Sequence, residues 1–137
     1  MPGPLSSHDA LIYVMVTMSA VDRDMTDKEM LRIGQLVQNL PAFKTFDVNQ
    51  LVHSAENCGQ ILSHEDGLDR ILSEVSKQLP KKLHETAYAL AVEVAAADLD
   101  IKAEELRFLQ LLRDTLNLDP LACAAIERGA RARHHTI

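Results

Sequence analysis

At 137 residues the chain has room for one domain with a buried core, and 47% hydrophobic with 25% charged residues excludes intrinsic disorder. A formal charge of -6 argues against a nucleic-acid partner, whose binding relies on clustered Lys and Arg, and points to cations or a basic protein surface. With 4% aromatics, no Trp and an apolar content made mostly of Leu, Ala, Val, Ile and Met, the composition favours helix over strand.

In chain order, Ser6 or Ser7 can cap a first helix from His8 to about Ala20. Leu11, Val14, Met15 and Met18 follow helical spacing on it, and Ile12, Tyr13 and Val16 make its other face apolar too, which predicts a central position. After an acidic turn from Asp22 to Met25, Thr26 and Glu29 form the T-x-x-E capping box of a second helix that carries Met30, Ile33, Val37 and Leu40 and ends at Pro41. Asp47 can cap a third helix, with Leu51, Ala55, Cys58 and Leu62 on one stripe to about Glu65, where Asp66 and Gly67 break the run. Leu68, Ile71, Leu72, Val75 and Leu79 mark a fourth, stopped by Pro80. A fifth, from about Lys81 to Ala97, is nearly all apolar after Tyr88. A second acidic turn, Asp98 to Ile101, leads to a sixth helix containing Leu106, Leu109, Leu112 and Leu116. Asp119 and Pro120 then start a seventh that runs to about Arg133. No segment alternates with period two, so the expected fold class is all-α, a compact bundle of about seven helices.

Cys58 and Cys123 sit in apolar helical patterns without CxxC or Cys/His spacing and read as buried free thiols of a reducing compartment. The first residues lack the pattern of a signal peptide, and no apolar run reaches the roughly 18 residues of a membrane span. The expected location is the cytoplasm, with peripheral association at the inner face of the membrane left open. Arg128, Arg131 and Arg133 at the end of the last helix are accounted for by the helix dipole, and His134 and His135 are expected at a frayed terminus.

The strongest internal signal is a repeat. Ala20-Val21-Asp22-Arg23-Asp24-Met25-Thr26-Asp27-Lys28-Glu29 aligns with Ala96-Ala97-Asp98-Leu99-Asp100-Ile101-Lys102-Ala103-Glu104-Glu105, both reading A-x-D-x-D-[MI]-x-x-x-E. Each copy follows an apolar helix and precedes an amphipathic one, and the capping Asp47 corresponds to Asp119. This divides a single domain, 1–137, into a first repeat at about 8–65, an intervening helix at about 67–79 and a second repeat at about 81–133. Two duplicated units about a pseudo-two-fold axis are expected. Parallel packing of the two apolar helices would bring their acidic ends together, and antiparallel packing would separate them.

These residues resemble the tellurite-resistance protein B (TerB) family, which also includes the N-terminal region of a membrane-anchored DnaJ-type co-chaperone. The family pattern, roughly A-D-G-x-[IV]-[ST]-x-x-E, is matched by Asp22, Met25, Thr26 and Glu29 and again by Asp98, Ile101 and Glu105. The chain departs from it at Arg23 and Leu99, where the family has Gly, and at Lys102, where it has a capping Ser or Thr. The resemblance implies a non-catalytic stress-response domain, tellurite resistance as its context and a metal-binding role for the acidic residues. The candidate ligands are Asp22, Asp24, Glu29, Asp98, Asp100 and Glu105, whose oxygens suit a hard divalent cation, Ca²⁺ or Mg²⁺ foremost. The plainer reading is that acidic residues cap helices and complement their dipoles, which covers Thr26, Asp27 and Glu29 fully and Glu105 less well. A third is a helical interaction module that binds a basic protein partner without an ion.

Other chemistry finds no footing. An EF-hand counted from Asp22 would put Asp27 at its obligatory Gly and Ile33 at its bidentate Glu; counted from Asp98, Ala103 and Leu109 fall there. The residues three before His53, His64 and His84 are Gln50, Ile61 and Lys81, so no E-x-x-H of a di-iron bundle exists at these histidines. Phosphate-loop, dinucleotide, nucleophile-elbow and H-E-x-x-H motifs are missing, so no organic cofactor or enzyme class is nominated, and a metal-dependent enzyme ranks last. Met15, Met18, Met25 and Met30 are expected to pack the core, and the acidic surface to repel an oxyanion.

Overall fold

A computed structural model describes residues 5–21, 25–96 and 101–137. Among these it has seven α-helices and no strand: α1 (Ser7–Ala20), α2 (Asp27–Asn39), α3 (Leu51–Leu62), α4 (Gly67–Gln78), α5 (His84–Ala96), α6 (Ala103–Leu116) and α7 (Pro120–Arg133). The all-α expectation holds. A single 3₁₀ turn at Pro41–Phe43 follows the end of α2, and others at Val48–Gln50 and Lys81–Leu83 replace the starts of the expected third and fifth helices. Pro80 at the head of the last turn lacks an N–H and sets an extended approach, so regular α5 starts only at His84. α3 likewise stops at Leu62, short of Glu65.

The start signals work as their chemistry requires. Ser6 accepts from Asp9 N at 3.1 Å, Asp47 from Asn49 N at 3.0 Å and Asp119 from Leu121 N at 3.2 Å, each satisfying one N–H that a helical turn leaves without an internal partner. Asp47 and Asp119, paired by the repeat, thus make the same local bond. α6 ends with Asn117 in the left-handed region (φ 52°), a conformation Asn tolerates and most residues do not.

α1 and α5 form the centre. From Ala10 to Ser19 every residue of α1 is buried, and α5 is buried from Ala87 to Ala95 except at Ala89. The two pack on one another, with α3 and α4 also against α1, and α2, α6 and α7 also against α5. Each outer helix offers a single apolar stripe: Ile33, Leu36 and Val37 from α2, Ile71, Leu72 and Val75 from α4, and Phe108, Leu109, Leu112 and Leu116 from α6. Burying such a side chain stabilises the fold by about 1.5–3 kcal/mol. Leu106, unlike Leu109, Leu112 and Leu116 of the same helix, is 56% exposed, because Phe108 and Leu109 take the inward positions around it.

Gly67 opens α4 where two helices meet closely. A Cβ there would stand 2.1 Å from the carbonyl oxygen of Ile61 and 2.8 Å from Leu62 Cα, so only Gly lets α4 begin against the end of α3. The cysteines are buried and free, as expected. Burial pushes the Cys58 thiol up to about 11 against an opposing hydrogen bond with Thr17, and it raises Cys123 as well. Both shifts disfavour the thiolate, the reactive form of cysteine.

Candidate functional site

The two acidic turns are best approached from their described flanks. Val21, just beyond α1, shares one groove of about 390 Å³ with Ala103, Glu104, Phe108 and Leu111 of α6 and with Leu68 of α4. Residues leaving α1 and residues entering α6 therefore lie at the same end of the bundle. The described C-terminal ends of α1 and α5 thus share one end of the bundle, as parallel packing of the two apolar helices would place them.

Two of the six candidate ligands are described, and they sit alike. Glu29 and Glu105 are each 1% exposed at the third position of a helix. Glu29 Oε1 accepts from Thr26 N at 2.9 Å while Thr26 Oγ1 accepts from Glu29 N at 3.1 Å, the complete capping box expected. Glu105 Oε1 accepts from Lys102 N at 3.0 Å, but the Lys102 ammonium has no lone pair with which to reciprocate. The helix N-terminal dipole favours a negative charge at both positions and offsets part of the cost of burying it. Asp22, Asp24, Asp98 and Asp100 lie outside the described residues. Among the described residues, no three His, Cys, Asp or Glu side chains gather in a way that could hold a metal ion.

A second polar centre lies at the same end and was missed from sequence. Glu93 interrupts the apolar run of α5 and is buried at 6% exposure. Arg32 Nη2 donates to its Oε2 at 2.8 Å and Arg133 Nε to its Oε1 at 2.8 Å; Arg133 Nη2 also donates to Oε1, and His134 Nε2 lies 3.0 Å from Oε2. Burial alone would raise this carboxyl, but hydrogen bonds from His134, Arg32 and Arg133 outweigh it and bring it down to about 2. Arg133 thus binds a specific carboxylate beyond any dipole effect, and His134 is held by a side-chain bond in place of the expected frayed end. The signal was available: a lone Glu inside Tyr88–Ala96 demands cationic partners once the helix is central.

Tyr88, fully buried, anchors the third cluster. Its hydroxyl donates to Glu127, and Arg113 donates to the hydroxyl at 3.0 Å and to Glu127 at 3.2 Å. Burial first, and then the hydrogen bond to Glu127, pushes the phenol up in spite of Arg113, so Tyr88 is a neutral structural donor. Beside it, α5, α6 and α7 leave a groove of about 700 Å³ with Val92, Ala95, Leu106 and Leu109 inside and Arg107 and Arg131 among its polar lining.

No helix among the described residues is long and apolar enough to cross a membrane. Compared with known proteins, the chain matches a family model described as Tellurite resistance protein TerB over residues 8–128, nearly its whole length. No curated protein and no solved structure matches it.

Proposed function

Because this chain belongs to the TerB family, we propose that it is a non-catalytic, tellurite-resistance-type stress-response domain that binds a divalent cation where its two acidic turns meet. The observation that supports this reading concerns the described flanks of the turns: Val21 and Ala103 line one groove, and Glu29 and Glu105 are buried at matching helix positions. Carboxylate oxygens are hard donors, and the aspartates at 22, 24, 98 and 100 add enough of them to suit Ca²⁺ or Mg²⁺. Both glutamates already give one oxygen to their own caps. The aspartates would therefore supply most of the coordination, the glutamates holding the turns in place.

A second reading, a helical interaction module of the co-chaperone N-terminal type, is favoured by the apolar groove between α5, α6 and α7 and by the exposed Leu106 on it. The two part on a metal-retention experiment. Metal-free protein is dialysed against Ca²⁺, Mg²⁺, Mn²⁺ and Zn²⁺ together, and the retained metal is measured for the wild type and for the Asp22→Asn, Asp98→Asn double variant. Saturable retention of one ion, lost in a folded variant, is the expected result. Equal or negligible retention by both sinks the aspartates as ligands and leaves the interaction module.

A further inference from the structure

The second polar centre has more cationic capacity than Glu93 can use. Three of the residues bound to Glu93, namely Arg32, Arg133 and His134, also line a groove of about 580 Å³ together with Lys28, Leu31 and Gln35. Glu93 accepts four N–H contacts, two on each oxygen, which fills the lone-pair sites of a carboxylate. The remaining donors must find other partners. Arg32 Nη1 reaches only Gln35 Oε1 at a long 3.4 Å, while Arg32 Nε is buried without a partner among the described residues and is not itself offered to the groove. Lys28 makes no ion pair among the described residues, and its side chain is exposed.

The balance of charge in the groove favours an anion. Arg32, Arg133 and Lys28 carry three positive charges against the single negative charge of Glu93, an excess of two before any contribution from His134. On a chain of net charge -6 this is a local reversal of sign, and the sequence-based expectation that an acidic surface repels oxyanions does not extend to it. Glu93 also fixes both guanidinium groups in place before a ligand arrives, which lowers the ordering cost of binding. Arg presents a planar fork of donors suited to the oxygens of a tetrahedral anion, with Lys as a mobile point charge at the rim. The cations cluster in one compact groove, without the long stripe a nucleic-acid backbone requires.

We propose that this groove binds a phosphate-type dianion, held by Arg32, Arg133 and Lys28. The source is either free phosphate or a phosphoryl group on a polypeptide side chain. The test follows backbone amide NMR shifts while inorganic phosphate replaces chloride at constant ionic strength, with a short phosphoserine peptide and its unphosphorylated counterpart as further arms. A saturable response of residues 28–35 and 131–135 to phosphate is expected. Lys28→Gln, which removes an exposed side chain and leaves the Glu93 network whole, should weaken it about threefold, and Arg133→Gln should weaken it further. Tighter binding of the phosphoserine peptide than of phosphate assigns the polypeptide source, and equal or weaker binding assigns the free anion. Identical responses to phosphate and chloride, or phosphate binding unchanged in both folded variants, would overturn the proposal.

Discussion

Replacing Glu93 by Gln removes one negative charge from the centre of the Arg32, Arg133 and His134 cluster with almost no change of volume. A carboxyl that titrates near 2 in place of its ordinary 4.5 stabilises the folded state at neutral pH by at most about 3 kcal/mol, since each pKa unit is worth ~1.36 kcal/mol. The cations are less buried than the acid: Arg133 is 57% exposed and Arg32 is 29%, against 8% for the Glu93 side chain. Water screens these partners, so the expected loss is about 1–2 kcal/mol at pH 7. The sign with pH follows from the direction of the shift. A depressed carboxyl contributes fully above its unfolded value and loses that contribution as pH falls through the folded one, so the gap between wild type and Glu93→Gln should narrow from about pH 5 to about pH 2. Urea unfolding of both proteins at pH 7, 5 and 3 measures this. A gap as wide at pH 3 as at pH 7, or none at pH 7, would refute the account of Glu93 as an ionised, cation-bound group.

Gly67→Ala should cost about 2–3 kcal/mol, because its Cβ would collide with backbone that cannot move alone. Gly34→Ala, with no heavy atom within 4 Å of the new Cβ, should gain about 0.5–1 kcal/mol; thermal unfolding of the pair checks both. Thr26→Ala should destabilise by about 1 kcal/mol through loss of the accepting hydroxyl, whereas Lys102→Ala at the matching cap should change little, as denaturant midpoints will show. Tyr13 and Tyr88 are both raised by burial, so folded protein near pH 10 should show little phenolate absorbance. Stability should fall as pH rises above about 10, where the unfolded chain releases protons that the folded one keeps. Half-ionisation near pH 10 in folded protein would contradict this.

The architecture was legible because its signals are local. The all-round apolar patterns of α1 and α5 place them at the centre whatever their neighbours, and Ser6, Thr26, Asp47 and Asp119 cap turns using bonds no longer than three residues. Periodicity alone does not choose between Leu106 and Phe108 for the inward face of α6, which Phe108 takes. The lone Glu93 signals a need for cations, but which ones was not legible: Arg32, Glu93 and Arg133 come from three helices far apart in sequence, and only the packing of α2 and α7 on α5 unites them. The acidic repeat was plain in the sequence, while the direction in which α1 and α5 run was not; Val21 and Ala103 lining one groove puts the described flanks of the two turns at the same end.

The central claim is that the two turns act jointly, and calorimetric titration of Ca²⁺ and Mg²⁺ into the single variants Asp22→Asn and Asp98→Asn tests it most directly. One shared site predicts a single ion per chain in the wild type and a severe loss of affinity in each variant alone. Two ions per chain, with each substitution removing one and sparing the other, would contradict a joint site.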